Sequence, residues 1–302
     1  MDDLANKINI PPAPAMAKAV EDGMYAKATM PAWKIFWLGL TGGAYIAFGF
    51  IMFVTTQQGA PGEWPLGITK MIGGAFFATG LIMVINSGSD LFTGTTLNIM
   101  PFLSKRITAG QLFRHWGLSY VANFIGSVTI AILVFLANTP ATNKSAWGLI
   151  VLNVTKGKLN LDWGNAFVLG ILCNFLVCMA VWLTFAGRSF LDKGLAIVVP
   201  LVIFVSTGFE HSVANMFMLP MGWLIKTFGA DAFWAGEAIT NAGVTSADFD
   251  MISWDKIILG NLLPVTLGNI IGGALCVGCY FWVAYRKDAI KAEREATAVA
   301  AK

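Results

Sequence analysis

Between residues 35 and 285 the chain alternates long apolar stretches with short charged connections, and few folds accommodate such a pattern. Residues 35–54, 116–136, 163–187 and 257–285 contain no charged side chain. Residues 71–104 carry only Asp90, and 194–209 with their continuation to 225 carry only Glu210 and His211. A helix needs about 20 mostly apolar residues to cross the hydrocarbon layer, so six crossings are predicted, with both termini on one side. The runs are too long for β-barrel strands and lack their alternating pattern. Charged residues make up 12% of the chain, about half the share in a soluble domain, and they gather in the tails and connections. That excludes a soluble α/β enzyme and a disordered chain. A net charge of +3, widely scattered, also excludes a nucleic-acid face. The expected fold class is an all-α integral membrane protein.

Basic residues near span ends set the orientation. Fourteen of the 20 Lys and Arg fall in the N-terminal tail, the second and fourth connections and the C-terminal tail; six fall in the other three connections. Both termini are therefore expected in the cytoplasm. The organisation read from this is a cytoplasmic tail over 1–33, a six-span domain over 34–285 and a cytoplasmic tail over 286–302. Trp33, Trp37, Trp64, Trp116, Trp163, Trp223, Trp254 and Trp282 lie near predicted span ends, where the amphipathic indole suits the headgroup layer. Residues 1–33 have no apolar core followed by small cleavage-site residues, so no signal peptide is expected. Met16, Ala19, Val20, Gly23 and Met24 recur at helical spacing after Pro11-Pro12-Ala13-Pro14. They predict a short amphipathic helix, either a surface anchor or a movable cap over a pore.

Spans two and five are polar in the middle. One reads Asn86-Ser87-Gly88-Ser89-Asp90-Leu91-Phe92-Thr93-Gly94, the other Ser206-Thr207-Gly208-Phe209-Glu210-His211-Ser212. Each has a glycine two residues before a carboxylate and a proline, Pro101 or Pro220, ten or eleven residues after it. Asn123-Phe124-Ile125-Gly126 in span three matches Asn269-Ile270-Ile271-Gly272 in span six. Two halves of three spans each must have opposite topology, so an inverted repeat with broken helices two and five is predicted, with the permeation site between the breaks. A break facing lipid would leave backbone groups unsatisfied.

Asp90, Glu210 and His211 are the ionisable residues inside the spans, and such residues mark function. The carboxylates are expected to brace the breaks and cap the half-helices that follow, near the hydroxyls of Ser87 and Thr207; a cation or proton path between them is the alternative. His211 is expected to line the pore, with the hydroxyl of Thr93 at the matching depth as an anion donor. His115, at the start of span three, is expected to serve at the membrane surface. Phe77, Leu81, Leu91, Phe92, Phe204 and Phe209 supply apolar constrictions that exclude hydrated ions. Cys173, Cys178, Cys276 and Cys279 read as packing residues. Gly39 with Gly43, Gly268 with Gly272, and Ala274 with Gly278 suit close helix contact. No nucleotide motif, nucleophile elbow or metal-ligand pair is present, so neither catalysis nor a cofactor or metal is expected.

Residues 84–94, ending Gly88-Ser89-Asp90-Leu91-Phe92-Thr93-Gly94, resemble the first signature of the formate/nitrite transporter family. Residues 170–180 resemble its second, with Met179 where Leu or Val is more usual, and 208–217 are similar to its histidine-bearing fifth span. The resemblance covers roughly 17–285 and is greatest to the formate channels. It implies an aquaporin-like homopentamer in the inner membrane, with one pore per protomer. It also implies that Thr93 faces His211, that Leu81, Leu91, Phe204 and Phe77 form constrictions, and that Lys158 draws anions to the outer mouth. Asn174 and Asn269 match family positions near the pore, and the N-terminal helix is implied to gate at low pH. The function expected is a passive, pH-sensitive formate channel, with possible proton coupling through the histidine. Nitrite or hydrosulfide remains an alternative cargo. A non-conducting membrane sensor is the alternative from another class, and a neutral-solute channel is disfavoured because no Asn-Pro-Ala box is present.

Overall fold

Two glycines decide where the long membrane segments stop. In the computed structural model, which describes residues 10–60 and 62–300, Gly88 (φ 75°) and Gly208 (φ 76°) adopt the left-handed conformation that a side chain disfavours. Each ends one half of a broken span. Lys7 and Lys302, assigned above to the cytoplasmic side, lie outside the described residues.

Helix α1 (Ala13–Ala28) precedes the first span, α2 (Ala32–Gln57). Span two is α3 (Leu66–Ser87), then after the break α4 (Phe92–Thr95), a 3-10 turn (Thr96–Asn98) and α5 (Ile99–Leu103). Span three, α6 (Ala109–Leu136), starts at a capping box of Thr108 and Gln111. The connecting α7 (Ala146–Leu159) leads to span four, α8 (Trp163–Thr184). Span five is α9 (Phe190–Thr207) and, past its break, α10 (Ser212–Phe228). Two short helices, α11 (Asp231–Trp234) and α12 (Glu237–Ala242), precede span six, α13 (Lys256–Tyr285), which has wider π-type turns at Lys256–Leu262 and Ile271–Cys279. Helix α14 (Lys287–Ala300) follows. Six helices of 18 to 30 residues are apolar enough to cross a membrane, and no strand occurs among the described residues.

The two breaks share one set of hydrogen bonds. Asn123 on α6 donates to the carbonyls of Gly39 (2.7 Å) and Asp90 (2.9 Å) and accepts from the Phe92 amide (2.8 Å). Asn269 on α13 donates to Gly170 (2.8 Å) and Glu210 (3.0 Å) and accepts from the Ser212 amide (2.9 Å). The Asp90 amide reaches Leu38 O (3.0 Å), and the Glu210 amide reaches Leu169 O (3.3 Å). The helices come close enough for this because small residues face each other. A Cβ on Gly126 would collide with the Leu40 carbonyl, and one on Gly272 with the Ile171 carbonyl. The glycine pairs of spans one and six thus make contacts within the protomer.

The halves are not identical. After Gly208 the chain forms 17 residues of α-helix, whereas after Gly88 it forms two short helices joined by the 3-10 turn. The hydroxyls of Thr95 and Thr96 bond back to the carbonyls of Phe92 (3.0 Å) and Thr93 (2.7 Å), which competes with the helical pattern.

Helix α1 buries Met16, Ala17, Val20, Glu21, Met24 and Ala28, while Ala19 faces outward. Its apolar face packs on Leu97, Met100, Cys178, Val181, Trp182 and Val277, so its surface is protein and not lipid. The buried Glu21 carboxylate joins Arg106 (3.1 Å) and Arg286 (2.8 Å), linking α1 to the second connection and to the end of span six. Burial opposes ionisation of Asp22, but hydrogen bonds from Lys18 and Arg106 hold its carboxyl below the ordinary 3.8. Its share of α1 docking is present above about pH 4 and fades as the pH falls below that.

The Gly126→Ala and Gly272→Ala variants should each lose about 1–3 kcal/mol through overpacking, read as a lower midpoint in thermal unfolding of the solubilised protein. Gly117→Ala on α6, where nothing lies within 4 Å of the added carbon, should not lower it.

Candidate functional site

Beyond each glycine turn one side chain, Thr93 in α4 and His211 at the cap of α10, faces the other. Thr93 Oγ1 and His211 Nε2 come within 2.9 Å of each other, both side chains being buried. His211 occupies the N-cap of α10, and its Nδ1 accepts the Ala214 amide (3.0 Å). A ring nitrogen that accepts carries no proton, so the imidazole proton sits on Nε2 and points at Thr93. Asn174 on α8 fixes Thr93 from behind. It donates to the Thr93 carbonyl (3.1 Å), to Thr96 Oγ1 (3.1 Å) and to the Asn269 carbonyl (2.6 Å). Cys178 contacts the Thr93 carbonyl as well (3.4 Å), so this cysteine both packs and supports the site.

Apolar side chains stand on either side of the pair. On one side Phe77 and Phe204 meet edge to face (5.6 Å between centroids), Phe50 meets Phe77 likewise (5.4 Å), and Phe204 stacks against the His211 ring (6.0 Å). These rings line a cavity of about 240 Å³, which also contains Phe53, Phe209, Lys70, Lys158 and Glu210. On the other side Leu81 and Leu91, with Val84 and Val181, line a cavity of only about 30 Å³ closed by Met24 and Lys27 of α1. Phe92 departs from the expected ring. It lines neither cavity, and its ring packs edge-on against Tyr120 of α6 (5.0 Å), because Asn123 holds its backbone toward that helix.

The two carboxylates do not cap the half-helices. The cap of α10 is His211 and the residue before α4 is Leu91, while Asp90 and Glu210 are taken up by cations. Asp90 Oδ1 meets Lys27 of α1 at 2.9 Å, and its Oδ2 lies 2.8 Å from Nε2 of His115. Glu210 Oε1 meets Lys158 at 2.6 Å, and its Oε2 accepts from Asn215 (2.7 Å) and Asn261 (3.2 Å). A buried carboxylate needs a full partner charge more than a helix end needs a cap. Ser87 and Thr207 sit at the ends of α3 and α9 and bond back to Val84 O (3.3 Å) and Ile203 O (2.7 Å), without touching either carboxylate.

His115 is not at the membrane surface: it is fully buried against Asp90. Its signal was present in the sequence, because His115, Ser119, Asn123 and Ser127 recur every four residues and are all buried on one face of α6. Asn261 and Asn215 were also missed. Nothing local distinguishes Asn261, which reaches Glu210 from the far end of span six. Trp116, expected at a span end, is buried in the protein and donates to Thr95 O (2.9 Å).

Residues 14–283 match the family model described as formate/nitrite transporter. The formate channel FocA of Escherichia coli K12 is 41% identical over 274 residues, covering 91% of this chain and 94% of the relative. The formate channel FocA of Haemophilus influenzae is 39% identical over 254 residues, covering 84% and 87%. Among solved structures, a pentameric formate channel with formate bound superposes with a TM-score of 0.77 at 36% identity, covering 85% of this chain and 98% of that one.

Removing one member of a buried ion pair strands the other. Glu210→Leu should destabilise the protein by about 3–5 kcal/mol, and adding Lys158→Leu should restore part of the loss. Thermal unfolding of the two single variants and the double variant measures the coupling.

Proposed function

This chain belongs to the formate/nitrite transporter family, and from that premise we propose that it is a passive, pH-sensitive channel for formate in the inner membrane. The observation that carries the reading is the Thr93–His211 contact of 2.9 Å between two apolar constrictions. The Nε2 proton of His211 is donated to Thr93 Oγ1, which leaves the threonine hydroxyl hydrogen free for an anion. The cargo then meets oriented dipoles in place of a fixed opposite charge, so it is bound strongly enough to enter and weakly enough to leave. Phe77 and Phe204 on one side and Leu81 and Leu91 on the other strip hydrated ions. Proton coupling through His211 would need the ring to take up a second proton first, so that imidazolium passes one proton to formate and returns to the neutral imidazole.

Matched hydrogen bonds at the two breaks support two inverted three-span halves in an aquaporin-like arrangement, and the pentameric relative supports a homopentamer with one pore per protomer. The excess of Lys and Arg in the tails and in the second and fourth connections supports cytoplasmic termini. With that orientation the small cavity is the inner one, and α1 is a cap. Lys27 reaches Asp90 and also donates to Ser89 O (3.1 Å). The Lys27–Asp90 ion pair, with His115 beside it, is the contact that holds α1 under the pore.

Formate flux into liposomes containing the purified protein tests the reading. Thr93→Val should reduce flux about fivefold, the loss of roughly 1 kcal/mol for one hydrogen bond, and His211→Ala should reduce it as well. Wild-type rates in both variants would overturn the assigned site. Faster flux of nitrite or hydrosulfide in direct competition would reassign the cargo.

A further inference from the structure

The ionisable residues that line the outer cavity are Lys70, Lys158, Glu210 and His211. Lys158 and Glu210 lie 2.6 Å apart with 15% and 2% of their side chains exposed, so together they present no net charge. His211 uses Nδ1 as an acceptor and is neutral. Lys70 remains. It sits near the start of α3, half buried, and among the described residues no carboxylate lies within ion-pair distance of its ammonium. A hydrogen bond from Gln57 to the neighbouring Thr69 carbonyl (3.1 Å) ties this turn of α3 to α2 at the cavity mouth.

We propose that Lys70, in addition to the paired Lys158, is a charge that collects anions at the outer mouth. This rests on the reading of the chain as an anion channel and adds a residue to it. A neutral ion pair has only a dipole field, which dies away within the cavity. An unpaired ammonium in a cleft walled by Phe50, Phe53, Phe77 and Phe204 has its field focused along the opening, because the low-dielectric walls screen it poorly. Small anions are thereby concentrated above the constriction, and their entry rate rises. The effect is one of delivery: it acts on half-saturation and on salt dependence more than on the rate of passage through the narrow part. Family resemblance implies that role for Lys158, whose ammonium is shared with Glu210 at 2.6 Å, whereas Lys70 has no carboxylate beside it among the described residues.

The test uses the full-length protein in planar bilayers of fixed lipid composition, with formate current recorded as an impermeant salt is raised on one side at a time. In the wild type, salt on the outer side should raise the half-saturating formate concentration strongly, and salt on the inner side weakly. Lys70→Met should raise half-saturation about threefold to tenfold at low salt, flatten the response to outer salt and change the saturating current less than twofold. Lys70→Arg should restore the wild-type values, and Lys70→Glu should raise half-saturation further. A Met variant with wild-type half-saturation and salt response would overturn the proposal and leave Lys70 as a headgroup anchor for α3. Loss of saturating current with an unchanged salt response would overturn it too, as a purely structural effect. No formate current in the wild type would instead overturn the channel reading itself, and the role of Lys70 with it.

Discussion

A helix interrupted inside a membrane leaves amides and carbonyls with no water to take them, and each orphan costs several kcal/mol. The rest of this structure depends on how that cost is met. Two asparagines meet it, one for each break. Asn123 and Asn269 each use both side-chain atoms, donating to carbonyls on either side and accepting the amide that starts the second half-helix. Neither could reach its break from a bulky helix interface. The close approach of α2 to α6 and of α8 to α13 at glycines therefore follows from the same requirement.

Charge is handled in the same paired manner. Asp90 and Glu210 follow the two glycine turns at equivalent places, and each is matched by a lysine from an element outside the spans, Lys27 from α1 and Lys158 from α7. The further partners differ: His115 stands by Asp90, and two asparagines stand by Glu210. One pair ties the first break to the docked helix α1, while the other lies in the wall of the larger cavity. A repeated pattern with unequal partners gives the two cavities different walls, one lined in part by α1 and one not.

The centre between them holds no free charge. His211 is held neutral by capping α10 and offers a single proton toward Thr93, which Asn174 holds in place from α8. Three elements, α4, α8 and the start of α10, converge on one hydroxyl and one imidazole. Dipoles so fixed need little reorganisation when charge comes near them.

Much of this was legible in the residues. Apolar run length specified six spans, and Gly88 with Asp90 and Gly208 with Glu210 marked both breaks, because left-handed turns and buried carboxylates each admit few residue types. The paired Asn-x-x-Gly of spans three and six was visible too, although its use as a clasp for the breaks was not. Only the tertiary structure decided which partner each polar group takes. It paired Lys158 with Glu210, turned Phe92 toward Tyr120, buried His115 against Asp90 and made His211 the cap where a carboxylate was expected. Membrane insertion and helix breaks are set by short windows of sequence. A hydrogen bond or ion pair joins residues 50 to 100 positions apart, and nothing local encodes which of several polar groups will arrive.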